Sequence, residues 1–391
     1  MLSLHDDDIR GDDLVAVQEG VYALCRSFGA DYWREKDAAK EYPQEFVAAL
    51  QEGGWLSILI PAEFGGGGMG IKAGAVVLEA ITRSGGAAAP AHAQMYTMGT
   101  VLRHGSDEQK ARFLPEIAAG RLRLQAFGVT EAESGSDTTR IRTRAVRDGD
   151  EYVINGSKMF ISRFAHSDLM LLLARTTPYE EVAKKTDGIS VFLVDLAEGG
   201  GSITSRSIRT MVNHETFALF FDDLHVPAAN LIGEEGKGFR YILSGLNAER
   251  ILVSSESIGG GLWFVDRATE YASSRVVFGR PIGMNQGVQF PLAKAYANIM
   301  AASHVRWRAV DLFESGRESG SEATTAKMLS SLAQWEAANA AMDTFGGYGM
   351  TEEYGIERRF REARLGLVAP VNNNLVLSHL ATQVLGLPKS Y

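Results

Sequence analysis

The strongest constraint on the fold is a double change of hydrophobic period, once near Gln125 and again after Pro227. Between these points the apolar residues come in short runs of strand length, and on both sides they recur at helical spacing. Residues 141–146, 152–154, 158–161, 169–173, 189–194 and 217–221 predict strands. Asp148-Gly149 and Asn155-Gly156 separate the first three and predict hairpin turns, because these residue types tolerate positive φ. Gly199, Gly200 and Gly201 mark a loop. The middle third therefore predicts a small antiparallel sheet or barrel.

The flanks predict helices. Leu14, Val17, Val21 and Leu24 place one stripe on residues 13–28, and residues 45–51 form a second, short element. Ser106 and Gln109 have the spacing of a capping box ahead of Phe113 and Leu114; Gly120 ends that helix, which contains Pro115. Residues 239–271, 285–314 and 322–344 are long and alanine-rich. Such helices, apolar on more than one face, pack as bundles, often across subunits. The order helix, β, helix excludes a doubly wound α/β fold. At 391 residues the chain exceeds the roughly 250–300 that one core supports. It predicts a helical domain over 1–125, a β-barrel domain over 126–235 and a helical domain over 236–391.

The net charge of -9 gives no electrostatic support to a nucleic-acid or anionic-membrane role. A single cysteine, Cys25, excludes an internal disulfide framework and a multi-cysteine metal site. The acidic start MLSLHDDDIRGDD lacks the basic and apolar regions of a signal peptide, and no apolar run approaches about 18 residues, so a cytoplasmic location is expected. FGGGGMG places Gly65, Gly67 and Gly70 at dinucleotide-fingerprint spacing, but no acidic residue follows about 20 positions on; a flexible loop is the expectation. No Walker lysine, G-x-S-x-G or H-E-x-x-H occurs, so zinc and acyl-serine chemistry lack support.

FGVTEAESGSD, residues 127–137, is a polar loop of small residues. Its hydroxyls and clustered backbone N–H groups suit a flat polar ring or a phosphate. GSKMFIS (156–162), HVPAANLIGEEGKGF (225–239), RVVFGRPIGMNQGVQF (275–290) and FGGYGMTEEYGIERRFREAR (345–364) follow it. These five blocks, in this order, resemble the signature segments of the acyl-CoA dehydrogenase family across nearly the whole chain. The resemblance implies a mainly α fold: a helical N-terminal domain, a middle β-barrel and a C-terminal four-helix bundle, assembled as a homotetramer or homodimer. It also implies FAD, bound between β-domain and bundle with a share from a neighbouring subunit, and an electron-transfer flavoprotein as acceptor. On this resemblance Phe127, Val129 and Thr130 lie along the flavin, and Phe160, Ile161 and Ser162 form the flavin-facing strand. Ser136 faces substrate and cofactor phosphates. Arg275, Phe278 and Gln286 hold the pyrophosphate and adenosine. Phe345, Gly346 and Gly347 approach FAD of the adjacent subunit. Asp343 stands where the family carries Gln, an unfavourable neighbour for a pyrophosphate.

The reaction the resemblance implies removes the α-proton of an acyl-CoA thioester while the β-hydride passes to flavin, giving the 2-enoyl-CoA. A desolvated carboxylate must take the proton, and donors must stabilise the developing enolate. Many members carry that carboxylate after the R-E-A-R segment. Here RLGLVAPVNNN (364–374) puts Pro370 at its position, which removes the acid and, because proline has no N–H, one backbone donor as well. Other members place the acid on the bundle helix; GLNAER (245–250) aligns there, with Glu249 as base. Arg250 then faces the CoA phosphates or orients the acid, and Asn247 replaces the residue that contacts CoA. Asn372 and Asn374 become cofactor or substrate hydrogen-bonding groups. The altered 364–374 segment also motivates a second reading, the same fold and flavin serving an oxidase, monooxygenase or non-redox lyase. A non-catalytic flavin-binding scaffold is a third.

Overall fold

The computed structural model describes residues 11–389, so most of the acidic N-terminal stretch lies outside the described residues. In chain order the first helices are α1 (Asp12–Cys25), α2 (Ala30–Ala39), α3 (Gln44–Glu52), α4 (Ile71–Arg83), α5 (Ala89–His104) and α6 (Asp107–Ala118). Strands β1 (Leu124–Gly128), β2 (Arg144–Asp148), β3 (Glu151–Ser162), β4 (Leu169–Arg175), β5 (Ile189–Asp195), β6 (Ile203–Ile208), β7 (Thr216–Pro227) and β8 (Leu231–Ile232) follow. The rest is α7 (Gly238–Ser274), a hairpin of β9 (Val276–Val277) and β10 (Arg280–Pro281), and then α8 (Gln286–Glu314), α9 (Gly320–Phe345), α10 (Ile356–Leu365) and α11 (Asn373–His379). By contacts the chain forms two compact units. One holds the described residues up to Ala39, Gly70–Ala88 and those from Asn247 onward; the other holds Lys40–Met69 and Ala89–Leu246.

The second unit is built on the sheet β6-β7-β3-β2-β4-β5-β8, with β1 joined to β4. The expectation of a purely antiparallel sheet is corrected, because β1 runs parallel to β4 and β2 touches β4 in parallel at Arg144 and Arg175. Every residue of β4 is buried, so both of its faces face a core. Leu169, Leu171 and Leu173 alternate into one core with Phe113, Leu114 and Ile117 of α6; Met170 and Leu172 enter the other with Tyr152, Ile154 and Phe221. Each buried leucine contributes about 1.5–3 kcal/mol, so β4 anchors both layers.

The turn at Asp148-Gly149 forms, with Asp148 paired to Glu151. The turn predicted at Asn155-Gly156 does not, because β3 runs unbroken from Glu151 to Ser162 along β7. A register shift between Ile154 and Gly156 absorbs the glycine as a bulge at φ 144, where a Cβ would stand 2.7 Å from Thr143. The Asn155 amide donates to Asp223 at 2.9 Å and its oxygen accepts the Asp223 N–H at 2.9 Å. Long-range pairing thus overrides the local turn preference. β1 and the largely exposed β6 carried no sequence signal strong enough to predict them. The loop at Gly65–Gly68 is pinned rather than flexible: the N–H groups of Gly66, Gly67, Gly68 and Met69 donate to Pro61, Ser57, Ile60 and Ile58. The α6 capping box is present as expected, Ser106 and Gln109 each satisfying the other's backbone.

In the first unit α7 is about 55 Å long at 1.5 Å per residue. Three consecutive glycines in its middle explain how other helices pack around it. A Cβ on Gly259 would lie 2.3 Å from the Glu79 carbonyl of α4, one on Gly260 2.3 Å from the Gln334 amide of α9, and one on Gly261 2.9 Å from Ile299 of α8. The buried Arg306 guanidinium on α8 ties the same helices, donating to Glu79 at 2.8 Å, Ser255 at 2.9 Å and Ser303 at 3.0 Å. Alanines 333, 337, 338 and 341 line the α9 face of this core. No helix among the described residues is long and apolar enough to cross a membrane.

Gly259→Ala tests this packing. Alanine gains about 1 kcal/mol of helix propensity over glycine, yet the new methyl would meet backbone, with overpacking of about 1–3 kcal/mol. Gly260→Ala meets the ends of two side chains, Gln334 Nε2 at 2.3 Å and Arg359 Nη2 at 3.1 Å, and no backbone. Thermal unfolding should rank Gly259→Ala below Gly260→Ala; the reverse order would refute close helix approach as the reason for the glycines.

Candidate active site

In the sheet unit, β1 delivers Phe127 and Val129 to the polar loop, and Lys158 of β3 locks that loop in place. The Lys158 side chain is fully buried. Its Nζ donates to Glu131 Oε1 at 2.8 Å and to the Val129 carbonyl at 3.0 Å. Glu131 also accepts from the N–H groups of Arg142 (2.6 Å) and Thr143 (2.9 Å) and from the Thr143 hydroxyl (2.7 Å). The Met159 N–H donates to the Thr130 carbonyl at 2.8 Å. Burial pushes the Lys158 ammonium down to about 8, against the opposing pull of Glu131. Burial alone would raise the Glu131 carboxyl, but Lys158 and the surrounding donors hold it below the usual carboxylate range.

Strand alternation would put Phe160 on the same inward face as Lys158. A register shift between Lys158 and Ile161 breaks that alternation, and Phe160 turns out at φ 63 with 59% of its surface exposed. The same shift turns the Ile161 side chain into the core, so only its backbone is available on the strand expected to face the flavin. The Ser162 and Thr216 hydroxyls lie 3.2 Å apart, and Ser136 is exposed on the loop. An uncovered aromatic face held in a left-handed conformation, beside hydroxyls and a fixed backbone edge, fits a flat ring with apolar faces and a polar rim.

In the helical unit, Glu249 lies on α7 and is only 6% exposed. Arg250 Nη1 donates to Asn247 Oδ1 at 3.0 Å, whereas its buried Nε has no hydrogen-bond partner among the described residues. Burial lowers the pKa of Arg250 against the pull of Glu249. Lys327, 1% exposed on α9, donates to the Val371 carbonyl and, at 2.9 Å, to Asn373 Oδ1. Burial, then the nearby Arg250, pushes its ammonium down to about 8. Asn373 Nδ2 donates onward to the Ser331 hydroxyl at 3.2 Å.

The predicted cofactor residues of this unit divide. Arg275 is exposed, its guanidinium 5.7 Å from the Tyr348 ring centroid, and Gln286 is exposed at the start of α8. Phe278 and Gly279 form the β9–β10 turn at φ 52 and 79, leaving the Phe278 ring fully in solvent. Gly346 (φ 58) and Gly347 present open backbone. The Phe345 ring is buried, stacked on Tyr271 at 4.2 Å, where it closes the α9 core. Asp343 is exposed in a groove with Phe290, Lys294 and Glu336. The Asn372 side chain caps α11, accepting the Asn374 N–H at 2.8 Å, and Asn374 is exposed. Sequence reasoning missed Lys158, Glu131, Lys327 and Asn373. A lysine amid the alanines of α9 was the available signal. No cluster of His, Cys, Asp and Glu among the described residues could hold a metal ion.

Family models for the N-terminal, middle and C-terminal domains of acyl-CoA dehydrogenases match residues 11–121, 126–224 and 236–383. The chain is 32% identical over 386 residues to the acyl-CoA dehydrogenase FadE12 of Mycobacterium bovis, covering 98% of each. It superposes on butyryl-CoA dehydrogenase from Megasphaera elsdenii with a TM-score of 0.89 at 27% identity, covering 96% of this chain and 98% of that one. A chain from a structure described as the electron transferring flavoprotein of Acidaminococcus fermentans gives 0.90 at 28% identity, with 96% and 98% covered.

Glu131→Gln tests the loop lock. The folded pKa of Glu131 is lowered, so its contribution is complete above the ordinary carboxylate range and lost as pH falls through the lowered value. Near neutral pH the variant should lose about 3–5 kcal/mol, because Lys158 stays buried without its carboxylate. Its acid limb should also be flatter. Urea midpoints from about pH 3 to 7 measure both, and a wild-type midpoint at neutral pH would exclude the pair as the lock.

Proposed function

Because this chain belongs to the acyl-CoA dehydrogenase family, we propose that it oxidises an acyl-CoA thioester to the 2-enoyl-CoA, with Glu249 taking the α-proton. The family is FAD-dependent, and the bound flavin supplies the acceptor for the hydride that leaves Cβ. Thr130, Phe160 and Ser162 would hold its ring, and Arg275, Phe278, Gln286, Gly346 and Gly347 its phosphates and adenosine.

One observation carries the choice of base. The loop position that would otherwise bear the acid is Pro370, while Glu249 is a buried carboxylate on α7. Burial excludes water from the carboxylate, which favours its use as a proton acceptor over that of a solvated surface acid. Arg250, the next residue on α7, feels the Glu249 charge electrostatically and would help to balance it. Asn247 holds Arg250 in turn and is available to CoA. In this reading the electrons pass to an electron-transfer flavoprotein, and the working assembly is a homotetramer or homodimer. The likeness to the Acidaminococcus fermentans chain supports a flavoprotein electron carrier as partner.

Glu249→Gln in the FAD-loaded protein should keep its flavin spectrum yet lose anaerobic bleaching by every acyl-CoA that bleaches the wild type. Removing an essential base lowers the rate by roughly 10²–10⁴ or more. Bleaching at the wild-type rate would exclude Glu249 as the base.

A further inference from the structure

Removing an α-proton places negative charge on the thioester oxygen, and hydrogen-bond donors must already be oriented to receive it. Pro370 offers no N–H. The next peptide links Val371 and Asn372. Its carbonyl is held by the Lys327 ammonium, which comes from the α9 side. In a trans peptide the carbonyl and the N–H point in opposite directions, so this grip turns the Asn372 N–H away from α9. Neither the Val371 nor the Asn372 N–H donates a hydrogen bond among the described residues. A cation on the carbonyl also polarises the N–H at the other end of the same peptide, strengthening it as a donor.

The geometry points to Lys327 as a positioning residue for the reaction: by binding the Val371 carbonyl and Asn373 Oδ1 it presents the Asn372 N–H to the thioester oxygen, in place of the donor that Pro370 lacks. The inference rests on the acyl-CoA dehydrogenase reading above. Lys327 touches no reacting atom and acts through the loop. Both of its acceptors lie on residues 371–373, next to the proline. A second, half-buried cation acts on the same group: Arg250 adds to the lowering of the Lys327 pKa. Arg250 and Lys327 together favour negative charge developing near the loop, whereas His379, its pKa lowered by burial and by Arg250, is held toward its neutral form.

The test uses the FAD-loaded full chain with the acyl-CoA that bleaches the wild type fastest. Lys327→Met should lower kcat on the order of 10²–10³-fold, as expected for loss of an enolate donor, with KM within about threefold. Lys327→Arg, which keeps the cation, should recover kcat to within about tenfold of wild type. A second readout is the carbonyl stretch of isotope-labelled acyl-CoA bound in a Glu249→Gln background. Adding Lys327→Met should move the band toward its position in water. Unchanged kcat, a loss confined to KM, or an unmoved band would overturn the inference. If Lys327→Met fails to hold FAD, Asn373→Ala removes one acceptor and should lower kcat about tenfold; a folded Asn373→Ala protein with wild-type kcat would overturn it as well. Normal bleaching by Glu249→Gln would remove Glu249 from the mechanism, and the kcat comparison at Lys327 would still decide the role of Lys327.

Discussion

An amine and a carboxylate buried together must satisfy each other, because neither can reach water. Lys158 and Glu131 do so, and much of the sheet unit follows from that requirement. Glu131 draws the backbone of residues 142 and 143 against the polar loop, and Lys158 draws in the Val129 carbonyl. The loop is therefore fixed at both ends before any ligand arrives. Lys158 must point inward for this, and Ile161 must point inward to fill the core. Positions three apart cannot share a face of a regular strand. The register shift that reconciles them pushes Phe160 out with positive φ. The exposed aromatic face is thus a geometric consequence of the ion pair, and strain of this kind persists only where the surroundings over-determine it.

The helical unit solves a related problem with backbone. Gly259, Gly260 and Gly261 weaken α7 by about 1 kcal/mol each in propensity, yet they let three neighbouring helices approach one segment. Glu249 and Arg250 lie two to three turns before this segment on the same helix. A side chain on a helix so tightly held is placed more accurately than one on a loop, which suits a proton acceptor whose distance to its proton must be controlled.

The long helices, the capping box at Ser106 and the strands at residues 169–173 and 189–194 were legible, because period and length decide such elements. Asn155-Gly156 was misread because turn propensity is local, whereas the pairing of β3 with β7 is set by partners about 60 residues away in the chain. The motif blocks located the polar loop and the strand beside it. They could not reveal that Ile161 and Phe345 face inward, since that depends on a register shift and on core closure. Lys158, Glu131 and Lys327 went unassigned for a related reason. A lysine reads from sequence as a solvated charge, and its burial appears only when its acceptors come from distant segments: Val129 for Lys158, Val371 and Asn373 for Lys327.

The charge count around Glu249 also bears on how the site tolerates its own chemistry. Lys327 is buried and Arg250 half-buried, each displaced downward in pKa by burial, and Arg250 Nε lacks a hydrogen-bond partner among the described residues. When Glu249 takes the α-proton in the proposed reaction, it becomes neutral as the thioester oxygen becomes negative, so the charge moves toward whichever donors and cations face that oxygen. An interaction that improves along the reaction coordinate lowers the barrier, whereas one already complete in the resting state lowers it little. With proline at position 370, the proposed mechanism leaves the proton to Glu249 and the orientation of a loop donor to Lys327, which holds residues 371–373 from α9.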